Sequence, residues 1–107
     1  MERLSVAIAD DNIRVVDALG NILGSDEEIE LVGKADDGEK IYAIIKEKQP
    51  DVVLLDLIMP KLDGLTVMDK IRNDKNMKKH PAFIMITAIG QEKVTEDAFS
   101  LGADYYI

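Results

Sequence analysis

The sequence contains no cysteine, a single histidine and fewer basic than acidic side chains. Without cysteine the chain has neither a disulfide framework nor a thiolate metal site, which fits a reducing cytosol. Its 13 basic and 21 acidic residues give a net charge of −8, which disfavours binding to nucleic acid or anionic lipid. The apolar runs are too short to span a bilayer, and the first residues do not have the pattern of a signal peptide. We therefore expect a soluble cytoplasmic protein that binds neither nucleic acid nor membrane directly.

The order of the apolar segments predicts an α/β fold. The chain has 107 residues, 47% hydrophobic and 32% charged, which is enough to fill and cover the core of one domain. Short β-branched runs alternate with segments of helical period, as is typical of parallel strands joined by crossover helices. The predicted strands are Ser5 to Ala9, Ile29 to Ala35, Val52 to Leu55, Ala82 to Thr87 and Asp104 to Ile107.

Apolar stripes between these strands predict helices that pack on the sheet. The stripes are Val15, Val16, Leu19, Ile22 and Leu23; Ile41, Ile44 and Ile45; Leu65, Met68 and Ile71; and Val94, Ala98 and Leu101. Turn or capping residues fall at the predicted element ends, for example Asp37-Gly38 and Gln49-Pro50. We interpret all four stripes as core-facing.

Polar side chains gather where buried strands end. Asp10 and Asp11 follow the first strand, Asp56 follows the wholly apolar third, and Thr87 closes the fourth. Open parallel sheets place their functional groups at this edge, so these residues are candidates for one site. Three carboxylates close together repel one another, and their pKa values rise unless a cation neutralises them. A hard divalent cation with oxygen ligands, Mg²⁺ above all, suits such a site.

Simpler interpretations exist for some of these residues. An aspartate after a strand is often a turn former or a helix N-cap, and either Asp11 or Asn12 could cap the first helix. Thr87 alone fits an ordinary strand residue, and His80 lies in a polar stretch where a solvated loop residue is expected. Asp56 is harder to explain in this way, because it ends an apolar strand and has no adjacent basic residue in sequence.

The ordered combination of several segments resembles the receiver domains of response regulators, which act in two-component signalling. The segments are Ala9-Asp10-Asp11, residues 51–64 with Asp56, Met59-Pro60 and Asp63-Gly64, then Ile86-Thr87-Ala88, and Gly102 to Tyr106. More narrowly, residues 61–64, 88–95 and 102–107 look like the receiver of the master sporulation transcription factor of endospore-forming bacteria. The resemblance implies a flavodoxin-like, doubly wound parallel sheet of five strands in the order 2-1-3-4-5, with helices on both faces.

The resemblance also implies a metal-dependent phosphoacceptor. Asp56 takes a phosphoryl group from a phosphohistidine. Asp11, Asp56 and the backbone carbonyl of Ile58 bind Mg²⁺ or another divalent cation such as Mn²⁺ or Ca²⁺, while Asp10 acts through a metal-bound water. Such domains are regulatory phosphoacceptors rather than enzymes, although they assist their own phosphorylation and dephosphorylation.

Two further residues carry the switch in this family. Thr87 donates a hydrogen bond to a phosphoryl oxygen, and Tyr106 occupies the position of the aromatic ring that turns inward as the threonine moves. The loop and surface after the fourth strand then form the bistable element that reports phosphorylation.

The partners implied are a histidine kinase or histidine phosphotransferase, a second receiver bound on phosphorylation, and a C-terminal DNA-binding domain in the natural protein. The phosphodonor would dock around residues 12–14 and 89–91. Receivers also carry a lysine and a final helix after the fifth strand, and this sequence ends at Ile107 before either. We therefore expect residues 1–107 to form a receiver truncated before its last helix.

Three functions fit the sequence. The first is a receiver that controls an attached DNA-binding effector, in sporulation control by the narrower resemblance. The second is a free-standing receiver that acts by binding a partner protein. The third, much weaker, is a phosphatase with an aspartate nucleophile; such enzymes favour a second acid two residues after the nucleophile, where this chain has Ile58.

Overall fold

The computed structural model describes residues 3–56, 59, 61–86 and 105–106. Its strands are β1 (Leu4–Ala9), β2 (Ile29–Ala35), β3 (Val52–Asp56), β4 (Ala82–Ile86) and β5 (Tyr105–Tyr106). Its helices are α1 (Ile13–Gly24), α2 (Gly38–Lys48) and α3 (Gly64–Arg72). The strands form one parallel sheet in the order β2-β1-β3-β4-β5. This is the flavodoxin-like order, so the predicted fold class is confirmed.

Within the described residues the strand limits differ from the predicted ones by one residue each at the start of β1, which begins at Leu4, and at the end of β3. Asp56 is the last residue of β3, paired with Ile86, rather than the first residue after the strand. Thr87, the predicted end of β4, lies outside the described residues, and so do Asp104 and Ile107 at the limits of the predicted fifth strand. The predicted apolar stripe of Val94, Ala98 and Leu101 also lies outside them.

The larger core cluster lies between the sheet and helices α2 and α3. It contains the alternate residues of β3 and β4 that face these helices: Val53, Leu55, Phe83 and Met85. Ile41 and Ile45 of α2 and Met68 and Ile71 of α3 pack on them and are fully buried. Each such side chain contributes roughly 1.5–3 kcal/mol by its burial. The apolar stripes predicted for these two helices are thus confirmed as core-facing.

Helix α1 covers the opposite face of the sheet, over β1 and β2. Val16 and Gly20 are buried there, and Gly20 lies against the side chains of Leu31 and Lys34 in β2. Ile22, which the sequence pattern assigned to the core, is 66% exposed, and that part of the prediction is wrong. Successive helix residues are rotated by about 100°, so the row from Val16 through Gly20 can contact the sheet while Ile22 points away. No helix in the described part of the chain has the length and apolar character needed to cross a membrane.

Asp51 ties together the amino-terminal edge of the sheet. Its Oδ2 accepts hydrogen bonds from the backbone N–H and the hydroxyl of Ser5, each 2.9 Å long. Its Oδ1 accepts a hydrogen bond of 2.6 Å from the ammonium group of Lys79. The hydrogen bond from Lys79 and then those from Ser5 lower the pKa of Asp51 to about 2. The start of β1, the start of β3 and the loop before β4 are therefore joined by one carboxylate.

Replacing Asp51 by asparagine should remove an acid-sensitive part of the stability. The pKa of Asp51 is lower in the folded protein than its ordinary value of 3.8. Its stabilising contribution is therefore complete above about pH 4 and is lost as the pH falls toward about 2. Urea unfolding at pH 6 and at pH 2.5 measures this loss. We expect Asp51→Asn to be less stable than the wild type at pH 6 and to lose less stability on acidification. Equal losses in the two proteins would contradict the role given to this carboxylate.

Candidate functional site

Three carboxylates meet at the carboxyl edge of the sheet. Asp10 and Asp11 come directly after β1, and Asp56 closes β3. Because β1 and β3 are parallel neighbours, with Ala9 beside Leu55, their ends lie side by side. One carboxylate oxygen from each aspartate lies within 4.8 Å of the other two. The structure thus brings together the three acidic residues that the sequence singled out.

Asp10 is held deepest in this cluster. Its side chain is buried, and its Oδ1 accepts a hydrogen bond of 2.9 Å from the backbone N–H of Asn12. Burial is the largest cause of the raised pKa of Asp10, and the neighbouring carboxyl group of Asp11 raises it further. The backbone hydrogen bond from Asn12 and a side-chain hydrogen bond with Asp56 act in the opposite direction and offset part of this increase.

The cap of α1 settles one alternative left open by the sequence. Asn12 has an extended backbone conformation, and its Oδ1 accepts a hydrogen bond of 3.0 Å from the backbone N–H of Arg14. Asn12 is therefore the N-cap, and Asp11 is not used for capping. The exposed Asp11 instead contributes its carboxylate to the cluster with Asp10 and Asp56.

The donor set fits a hard divalent cation. The carboxylates of the cluster become less buried in the order Asp10, Asp56, Asp11. They supply only oxygen ligands, and these oxygens lie close enough together to bind one ion. Mg²⁺ binds through one or two carboxylates and keeps several waters, so it needs a cluster of this kind that is partly open to solvent. A positive charge at this position would also favour the ionised form of Asp10, whose pKa is raised mainly by burial.

The other predicted site residues are described less completely. Thr87 and Ile58 lie outside the described residues. Tyr106 pairs with Met85 in β5, so its backbone lies on the strand beside β4. His80 is exposed in the connection before β4, as expected of a solvated loop residue.

Comparisons with known proteins agree with the geometry of this site. The family described as the response regulator receiver domain matches residues 6–107. The chain belongs to this receiver family. Receivers are regulatory phosphoacceptors, which places the aspartate cluster in a signalling domain rather than in a metabolic enzyme.

Three solved structures illustrate the similarity of this receiver to others. The signal receiver domain of NarL from Mycobacterium tuberculosis has a TM-score of 0.88 at 28% identity, over 99% of this chain and 83% of that one. CheY from Borrelia burgdorferi, in a complex with CheX, BeF₃ and Mg²⁺, has a TM-score of 0.84 at 34% identity, over 99% and 78%. A DNA-binding response regulator of the LuxR family from Staphylococcus aureus has a TM-score of 0.87 at 28% identity, over 97% and 84%.

The receiver also contains a contact between two connections that sequence reasoning missed. The connection before α2 lies against the connection before α3: Gly38 abuts the backbone of Leu62, and Asp37 faces Lys61. From the sequence, Asp37-Gly38 indicated only the end of an element. Nothing in the local pattern could have identified the contact, because its two sides are far apart in the chain.

Proposed function

We propose that this receiver is a phosphorylation-dependent switch in which Asp56 accepts the phosphoryl group. The observation that supports this role is the convergence of Asp10, Asp11 and Asp56 at the carboxyl edge of the sheet, in a chain of the receiver family. Asp56 is the only one of the three that belongs to a strand, so the ladder of β3 fixes its backbone. A carboxylate held in this way is suited to in-line attack on a phosphoryl donor.

The aspartate cluster binds Mg²⁺, or alternatively Mn²⁺ or Ca²⁺. Asp11, Asp56 and the backbone carbonyl of Ile58 are the direct ligands, and Asp10 acts through a bound water. A cation held by these residues would offset the negative charge on the transferring phosphoryl oxygens. The complex of Borrelia CheY, which is 34% identical to this chain, contains both BeF₃ and Mg²⁺. That composition supports a divalent cation beside the phosphoacceptor here.

The chemical step forms an acyl phosphate on Asp56. A carboxylate oxygen attacks the phosphorus of a phosphohistidine, the P–N bond breaks, and the imidazole nitrogen leaves with the bonding pair. Thr87 then donates a hydrogen bond to a phosphoryl oxygen, and Tyr106 turns inward behind it. Through the hydrogen bond of Thr87 and the rotation of Tyr106, the added charge on Asp56 changes the protein surface around β4 and β5.

The phosphodonor is a histidine kinase or a histidine phosphotransferase. The side chain of Ile13 is 55% exposed at the start of α1, two residues after Asp11, and its neighbours Asn12 and Arg14 are also exposed. An exposed apolar side chain with polar neighbours beside the phosphoacceptor suits a docking contact. The histidine of the donor would approach Asp56 from this side.

The output is control of a DNA-binding effector in the cytoplasm, accompanied by receiver dimerisation. Similarity to a DNA-binding response regulator of the LuxR family supports this output. The narrower resemblance of residues 61–64, 88–95 and 102–107 supports a role in sporulation control. A second candidate is a receiver that acts by binding a separate protein, which is favoured by the likeness to CheY in its complex with CheX.

Labelling by a small phosphodonor tests the proposed function. The natural full-length protein should take up a single phosphoryl group from acetyl phosphate when Mg²⁺ is present and none in excess EDTA. Hydroxylamine should release the label, because it cleaves acyl phosphates and leaves phosphate esters intact. Label that resists hydroxylamine, or equal labelling in EDTA, would contradict the proposal.

A further inference from the structure

Gly38, the first residue of α2, has no room for a side chain. A Cβ atom at this position would lie 1.6 Å from the carbonyl oxygen of Leu62 and 2.4 Å from its carbonyl carbon. Both are backbone atoms, so no side-chain rotation can relieve the overlap. A side chain at Gly38 can be accommodated only if the loop that carries Leu62 moves, or if α2 moves. The close approach therefore fixes the distance between α2 and the connection that precedes α3.

Asp37 also contacts the connection that precedes α3, through an ion pair with Lys61. Its Oδ1 accepts a hydrogen bond of 2.8 Å from the backbone N–H of Lys40 and so caps α2, while its Oδ2 lies 3.7 Å from the ammonium nitrogen of Lys61. The side chain of Asp37 is 7% exposed and that of Lys61 is 59% exposed, so the carboxylate is the fixed member of the pair. Lys61 has a φ of 68°, a left-handed conformation that persists in a lysine only where the surroundings hold it.

The connection held in this way begins at the phosphoacceptor. Only four residues separate Asp56 from Lys61, and one of them, Met59, is buried in the core. Beyond Lys61, Leu62 packs against the same core, and Asp63 caps α3 by accepting a hydrogen bond of 2.8 Å from the backbone N–H of Thr66. A connection so short cannot absorb a displacement of its far end. The position of residues 61 and 62 therefore limits where the four intervening residues can run.

We infer that Asp37, Gly38 and Lys61 are positioning residues for the metal site: they hold the β3–α3 connection in place and so set the affinity for Mg²⁺ without contacting the ion. The inference rests on the proposed function, since it assumes that the aspartate cluster and a carbonyl of this connection bind the cation. Groups that orient metal ligands in this way commonly change metal affinity by about 10- to 100-fold when they are altered.

The first test is Gly38→Ala in the natural full-length protein. Calorimetric titration with Mg²⁺ alone should give an affinity about 10-fold lower than that of the wild type, because the added methyl group displaces the carbonyl of Leu62. Circular dichroism in EDTA reports whether the variant is folded. Because Gly38 is buried, this variant could lose its fold, so a second substitution on the exposed side of the contact is needed.

The second test is Lys61→Met, for which the inference and simple electrostatics predict opposite signs. Removing a positive charge from this acidic protein should by charge alone strengthen Mg²⁺ binding. Loss of the ion pair that holds the connection should weaken Mg²⁺ binding by about 2- to 5-fold, the range expected for a partly exposed ion pair. Lys61→Arg keeps the pair and should retain the affinity of the wild type. The melting temperature of Lys61→Met in EDTA should stay that of the wild type.

Lys40→Met provides the matched control. Lys40 is 60% exposed and lies 3.9 Å from the same oxygen of Asp37, but it belongs to α2 and not to the β3–α3 connection. Its loss should leave Mg²⁺ affinity unchanged or slightly higher. If the wild type binds no Mg²⁺, both the proposed function and the inference are overturned. If the wild type binds it, and Lys61→Met binds it equally well or more tightly, only the inference is overturned.

Discussion

Replacing Asp56 by asparagine should reduce labelling by acetyl phosphate at least about 100-fold, the largest effect expected of any single change in this receiver. The amide has nearly the shape of the carboxylate but no anionic oxygen to attack phosphorus. An amide at position 56 can also still form hydrogen bonds with its neighbours at the carboxyl edge of the sheet. We therefore expect the variant to be folded in EDTA, as circular dichroism would show, so that lost labelling reflects lost chemistry.

Asp63→Asn is the matched control for this experiment. Asp63 stands at the far end of the same connection, is exposed, and caps α3 through its hydrogen bond from Thr66. Asparagine caps helices about as well as aspartate, so the local structure should persist. Labelling of Asp63→Asn should equal that of the wild type. Full labelling of Asp56→Asn would show that Asp56 is not the acceptor. An equal loss in Asp63→Asn would show that the loss is not specific to Asp56 and would remove the support for this assignment.

The aspartate cluster could be predicted from the sequence because its geometry follows from the topology. Short apolar runs separated by helical segments indicate parallel strands, and parallel strands end at a common edge. Asp10 and Asp56 were therefore expected to be neighbours although they lie far apart in the chain, and the pairing of Ala9 with Leu55 brings them together. The positions of the buried strands could be predicted from this local pattern alone, without information about long-range contacts.

Other features depend on contacts that no local pattern encodes. Ile22 has the spacing of a core residue but is exposed, because the row through Val16 and Gly20 is the one that meets the sheet. Asp11 and Asn12 were equivalent candidates for the cap until the hydrogen bond from Arg14 identified Asn12. The approach of Gly38 to Leu62 depends on how two connections pack against each other, and sequence spacing carries no information about that.

Asp10→Asn should make the metal-free protein more stable. The raised pKa of Asp10 means that ionisation costs the folded state more than the unfolded state. That cost is absent at low pH and appears as the pH rises through the raised pKa, so it is present at pH 7.5. Asparagine can still accept the hydrogen bond from the backbone of Asn12 and carries no charge. Urea unfolding in EDTA at pH 7.5 should show a gain of about 1 kcal/mol. A loss of stability would mean that the carboxylate serves the fold and is not kept for a cation.

Saturating Mg²⁺ should make Asp10→Asn less stable than the wild type. The metal dependence of stability also tests which aspartate binds the ion directly and which binds it through water. At 100 times its dissociation constant, Mg²⁺ raises the free energy of unfolding of the wild type by about 2.7 kcal/mol. As a direct ligand, Asp11 is required for most of this gain, so Asp11→Ala should lose nearly all of it. Asp10 acts through water, so Asp10→Ala should lose only part. Equal or reversed losses in these two variants would contradict the assignment. Asp10→Asn should then be more stable than the wild type in EDTA and less stable in Mg²⁺, because the acid that destabilises the empty site is the one that helps to bind the ion.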